Sequence, residues 1–121
     1  MQYLLLIYGD ESRWEAMSPQ EQAAEYQKWS QYGSWLEERG WVKGGAELHP
    51  TSRATTVRVR DGQTLTSDGP FAETKEQLGG YYLIECDDLD QAIEAAGRMP
   101  AANAGSIEIR PIVTPEERPT P

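Results

Sequence analysis

The sequence predicts an α+β fold: a mostly antiparallel sheet with two helices on one face and a β-hairpin inserted between its halves. Three observations carry this expectation. A strand-helix-strand succession occurs twice, Ser18-Pro19-Gln20-Glu21 opens a long helix with a capping box, and Asp61-Gly62 joins two alternating runs as a two-residue hairpin turn. At 121 residues the chain has the size of one domain, expected over 1–113, with a proline-rich tail over 114–121.

The first run, Gln2 to Tyr8, is stopped at Gly9-Asp10 and is too short for a helix, so it reads as a strand. It does not alternate, so burial on both faces is expected. Asp10 to Met17 reads as a polar connection carrying Trp14. The capping box then starts a helix over about Pro19 to Arg39, with Ala23, Tyr26, Trp29, Gly33 and Leu36 at helical spacing and Gly40 as its stop. Trp41 to Leu48 reads as a strand interrupted by Gly44-Gly45, where close backbone approach is expected.

Thr55 to Arg60 alternates and pairs across Asp61-Gly62 with Gln63 to Thr66. Gly80 to Cys86 is a further strand. Asp87-Asp88 caps a second helix with Leu89, Ile93 and Ala96 expected on its inner face. Ser106 to Arg110 alternates as the last strand, and the four prolines from Pro111 to Pro121 speak for an extended or disordered tail. The order of elements is the split ferredoxin-like plan. Its helices cover one side only, while the first strand asks for cover on both, so a homodimer packed sheet to sheet is expected.

Composition narrows the function classes. Twenty acidic against eleven basic residues leave a net charge of −9, which repels a phosphate backbone, so no direct nucleic-acid binding is expected. The apolar run Tyr3 to Tyr8 is too short to span a membrane and lacks the basic flank of a signal peptide, which points to a cytoplasmic protein without membrane attachment. A single cysteine, Cys86, allows no internal disulfide and reads as a small buried hydrophobe. One histidine and one cysteine at unmatched spacing give no metal-ligand set, and neither glycine pair opens a phosphate loop, so no cofactor is expected.

Between the hairpin and the next strand stands the densest stretch of the chain, Asp68-Gly69-Pro70-Phe71-Ala72-Glu73-Thr74-Lys75-Glu76, followed by Gln77-Leu78-Gly79-Gly80-Tyr81-Tyr82. This run resembles the motif of the YCII-related family in its DGPF-domain branch. Tyr3-Leu4-Leu5-Leu6-Ile7-Tyr8 and Ile107-Glu108-Ile109-Arg110-Pro111 resemble the family's two ends, so the likeness extends to about Val113. It implies a ferredoxin-like subunit of a dimeric α/β barrel, similar in architecture to muconolactone isomerases, with a candidate active-site cleft beside the sheet. It further implies a regulatory association with extracytoplasmic-function sigma factors. A histidine and an aspartate share the cleft in part of the wider family. Here the first helix has no histidine and His49 precedes Pro50 in a loop, so only the aspartate, Asp68, carries over.

Two readings of Asp68 stand together. Partly desolvated against aromatic rings, its carboxyl would work as a general base or acid; as half of an Asp-Gly turn it would only tie down backbone amides. Lys75, between Glu73 and Glu76, either holds an anionic group or forms a solvated surface pair. Pro70-Phe71 reads as the loop's anchor, with the ring filling a core gap. Tyr8 and Tyr81, with Trp29, Trp41 and Tyr82, supply either core or the walls of a small-molecule pocket. The candidate catalytic residue is therefore Asp68 and the candidate substrate-binding residues are Tyr8, Phe71, Glu73, Lys75 and Tyr81. Three functions follow: a cofactorless proton-transfer or isomerase enzyme, a non-catalytic small-ligand module, and an accessory protein linked to a sigma factor. The enzyme ranks first, because ionisable groups are gathered beside aromatic surface.

Overall fold

The first strand, β1 (Gln2–Gly9), lies at the middle of a four-stranded sheet with β2 (Val42–Glu47), β5 (Gln77–Glu85) and β6 (Ser106–Pro111) in the order β2-β5-β1-β6. Every neighbouring pair is antiparallel, which is the strand order of a ferredoxin-like fold. The computed structural model describes residues 1–121. Three helices accompany the sheet: α1 (Glu11–Ala16), α2 (Pro19–Glu38) and α3 (Leu89–Gly97). Between β2 and β5 the chain forms a separate two-stranded ribbon, β3 (Thr55–Arg60) and β4 (Gln63–Asp68).

One face of the sheet carries the core. Tyr3, Leu5 and Ile84 are buried against Tyr32 and Leu36 of α2, Ala92 and Ala95 of α3, and Met99. On β1 the burial alternates, Tyr3 and Leu5 being buried and Gln2, Leu4 and Leu6 half-buried. Leu4 and Leu6 lie opposite Leu83 and Tyr81 of β5 on the face that no helix covers. Burial of the first strand on both sides is therefore incomplete within one chain.

The capping box of α2 forms: Ser18 Oγ accepts from the Glu21 amide at 3.1 Å, and the Glu21 carboxylate accepts from the Ser18 amide at 3.0 Å. These bonds hold the Glu21 carboxyl below its ordinary range, so their stabilisation is present above pH 4.5 and is lost as the pH falls through the lowered value. The inner stripe of α2 runs through Gln22, Glu25, Trp29, Tyr32 and Leu36, leaving Ala23 and Tyr26 outside. Buried Tyr32 donates from its hydroxyl to the Ala95 carbonyl at 2.7 Å, joining α2 to α3.

Three expectations are corrected. Residues 11–16 form a short helix, because the Asp10 carboxylate accepts from the Ser12 amide at 3.0 Å and caps it; the segment has no apolar stripe to announce it. On α3 the buried residues are Ala92, Ala95 and Ala96, while Leu89 and Ile93 are 50% and 52% exposed. Small side chains let this helix approach the sheet closely, and only packing decides that over hydrophobicity. Phe71 fills no core gap: it is 79% exposed, because the ribbon stands off the sheet and leaves no apolar layer beneath the loop.

Candidate functional site

The largest concavity lies where β1 ends. A cleft of about 900 Å³ opens between α1, the first half of α2, the β2 edge with the segment Leu48 to Pro50, and the start of β5. Volumes of this size are those of small-molecule sites. Its walls are aromatic. Trp14 of α1 meets Tyr26 of α2 edge-on at 5.2 Å between ring centres, and Trp29 stacks on Tyr82 of β5 at 6.4 Å. Tyr8 and Tyr81 line it as well.

The glycine pairs shape this region unequally. A Cβ on Gly45 would stand 2.8 Å from the Tyr81 carbonyl oxygen, and one on Gly80 2.9 Å from that of Ala46, so these two let β2 and β5 pair closely. Beyond β2 the pairing continues through the Leu48 amide, which donates to the Gly79 carbonyl at 2.9 Å. His49 and Pro50 are thereby brought to the cleft wall. The opposite wall is tied on by Glu11: its amide donates to the Gln77 side chain at 3.0 Å, and its carboxylate accepts from the amide of Thr51 at 3.1 Å and from the Thr51 hydroxyl.

Comparison with known proteins places this architecture. Residues 1–116 match the model of the YCII-related domain. The chain belongs to the YCII-related family. It is also similar to an uncharacterized protein of Rhizobium meliloti (strain 1021), at 43% identity over 114 residues, covering 93% of this chain and 92% of that one.

The cleft of this YCII-related protein is acidic. Its charged lining consists of the carboxylates of Asp10, Glu11 and Glu47, beside His49, and includes no lysine or arginine. Glu47 accepts from the Tyr26 hydroxyl at 2.9 and 3.2 Å through its two oxygens. That hydrogen bond, reinforced by partial burial and by the charge of Glu47, raises the Tyr26 pKa and keeps the phenol protonated. Asp10 is held ionised in the opposite way, its pKa lowered first by the hydroxyl and then by the amide of Ser12. Burial, with a smaller contribution from Glu37, raises Tyr82.

Of the residues singled out from sequence, Tyr8 and Tyr81 line the cleft. Trp29 and Tyr82 line it as well, whereas Trp41, Asp68, Phe71, Glu73 and Lys75 lie apart from it within one chain. Asp68 ends β4 opposite Thr55 and is exposed, at the base of the ribbon where the Gly69 amide donates to the Ala54 carbonyl at 2.7 Å. Phe71, Glu73 and Lys75 follow in an exposed loop, and none of the chain's ion pairs involves Lys75. Glu76 does anchor the loop, accepting from the Ser106 hydroxyl at 2.8 Å. Sequence reasoning missed Asp10, Glu11, Trp14 and Glu47. The available signal was Asp10-Glu11 directly after the central strand, a position that the fold places at the mouth of a cleft.

Proposed function

We propose that this YCII-related protein holds a small organic molecule in the aromatic cleft and moves a proton on it. The observation that carries this reading is the Glu47-Tyr26 pair on the cleft wall: a carboxyl group accepting from a phenol whose pKa is raised, beside enough apolar surface to seat a substrate. Glu47 takes the carbon-bound proton onto its carboxylate and later returns it; as Glu47 becomes protonated, the Tyr26 O–H is released from it and turns to the charge developing on the substrate, while Tyr8 and Tyr81 position the molecule. The test is exchange of carbon-bound protons, followed by NMR in D2O with a panel of ketones, enol lactones and amino ketones. Wild type should exchange at least one class, and Glu47→Gln should slow that exchange at least about a hundredfold while keeping the fold. No exchange by wild type, or none lost in Glu47→Gln, overturns the reading. Loss in Asp68→Asn alone would transfer the base to the Asp68-Gly69-Pro70-Phe71 corner.

That corner acquires a site role in a homodimer of the DGPF branch, and this assembly is the second part of the proposal. Leu4, Leu6 and Leu83 lie on the face without helices, and Val57 and Val59 are exposed on a ribbon outside the main sheet. An isolated two-stranded ribbon is marginally stable in water. A second copy packed on the open face gives both an apolar partner and brings Asp68, Glu73 and Lys75 over a neighbouring subunit. Sedimentation equilibrium should return twice the chain mass of 13.6 kDa, and Leu83→Lys should return the chain mass itself. A wild-type monomer at all concentrations overturns the assembly.

A further inference from the structure

We propose that the molecule this cleft selects is an organic cation, a quaternary or protonated amine carried on a compact apolar body. The inference rests on the small-molecule reading above and adds the chemical class of the ligand. Three carboxylates line the cleft with no lysine or arginine among them, and each is held by uncharged partners: Asp10 by Ser12, Glu11 by Thr51, and Glu47 by Tyr26. None of the three forms an ion pair with a lysine or arginine; the charge of Arg13, outside the lining, acts on Asp10 as a minor influence. A net charge of −9 adds a field of the same sign, which raises the concentration of cations at the cleft.

The walls distinguish an organic cation from a metal ion. No group of three histidine, cysteine, aspartate or glutamate side chains is close enough to hold a metal, so the acids do not converge on a point. They stand instead among Trp14, Tyr26 and Trp29, whose ring faces attract a diffuse positive charge and also cover methyl groups. An anionic ligand meets the opposite situation. Within one chain Lys75, the cation that the sequence offers for it, lies in the exposed loop away from this cleft.

A matched set tests the charge alone: choline, 3,3-dimethylbutan-1-ol and 3,3-dimethylbutanoate, which present nearly the same branched head as cation, neutral molecule and anion. Binding to the full chain is followed by tryptophan fluorescence and by saturation-transfer NMR. Choline should bind at least about tenfold more tightly than the alcohol, and 3,3-dimethylbutanoate should not bind measurably. Glu47→Gln should reduce the preference of choline over the alcohol, while Glu38→Gln, which removes an exposed carboxylate of α2 outside the cleft lining, should leave it unchanged. Equal or tighter binding of the alcohol or of the anion overturns the cation inference and leaves a small-molecule site standing. Absence of choline binding overturns it too, and the proton-exchange experiment then decides separately whether the cleft is a site at all.

Discussion

Replacing Gly105 with alanine is expected to destabilise the protein by about 3 kcal/mol or more and to damage the cleft at the same time. Gly105 enters β6 directly from the turn at Pro100–Asn103, and its amide donates to the Ala101 carbonyl at 2.7 Å. A Cβ there would overlap the Tyr8 carbonyl oxygen and stand 3.2 Å from the Gly9 Cα. Both obstacles are backbone, so no rotamer change relieves the clash. Either β6 separates from the end of β1, or β1 shifts and carries Tyr8 with it. Tyr8 and Ala101 both line the cleft, so the second outcome alters ligand binding as well as stability. Gly97→Ala is the control: it ends α3, its Cβ would meet nothing within 4 Å, and its backbone needs no left-handed conformation. That change should be neutral or stabilise by up to about 1 kcal/mol. Urea denaturation of the two variants measures both effects, and Gly105→Ala within 1 kcal/mol of wild type would contradict the packing described.

Leu36→Ala is expected to cost about 3 to 5 kcal/mol, the upper part of the range for a fully buried leucine. Only Tyr32 and Leu36 of the 20-residue α2 are buried, and Leu36 is 0% exposed in the cluster with Leu5, Ile84 and Met99. Rings of Trp29 and Trp35 lie only partly buried against this cluster, and truncating Leu36 leaves a void between helix and sheet. The loss also reaches function, because α2 supplies Tyr26 and Trp29 to the cleft. Gln27→Ala, exposed on the same helix, should stay within about 0.5 kcal/mol. Equal midpoints for Leu36→Ala and Gln27→Ala would mean that α2 is not held by this contact.

The two largest effects fall on residues of very different visibility in the sequence. Leu36 stands at helical spacing with Trp29 and behind a capping box, so its burial is legible from local pattern. Gly105 is one of eleven glycines, and nothing near it in sequence tells that Tyr8, almost a hundred positions away, will press on it.

The same division holds for the site. Tyr8 and Tyr81 were legible because they flank strand ends in an aromatic, glycine-rich setting. Asp10, Glu11, Trp14 and Glu47 were not: they come from α1 and from the edge strand β2, and meet only because β5 pairs with both β1 and β2. The Asp68 motif drew attention through its density of turn, ring and charge, and the fold places it on a ribbon apart from the cleft in a single chain.

By itself the sequence determined the strands, the long capped helix and the hairpin turn, since each follows from the period of apolar residues or from turn and cap chemistry within a few positions. Tertiary structure alone decided which face of α3 is buried, that Asp10 starts a helix, and that three carboxylates and a protonated phenol share one aromatic hollow. The physical reason is range. Caps and periodicity act between neighbours along the chain, whereas close packing and the field inside a cleft depend on groups that only the folded sheet brings together.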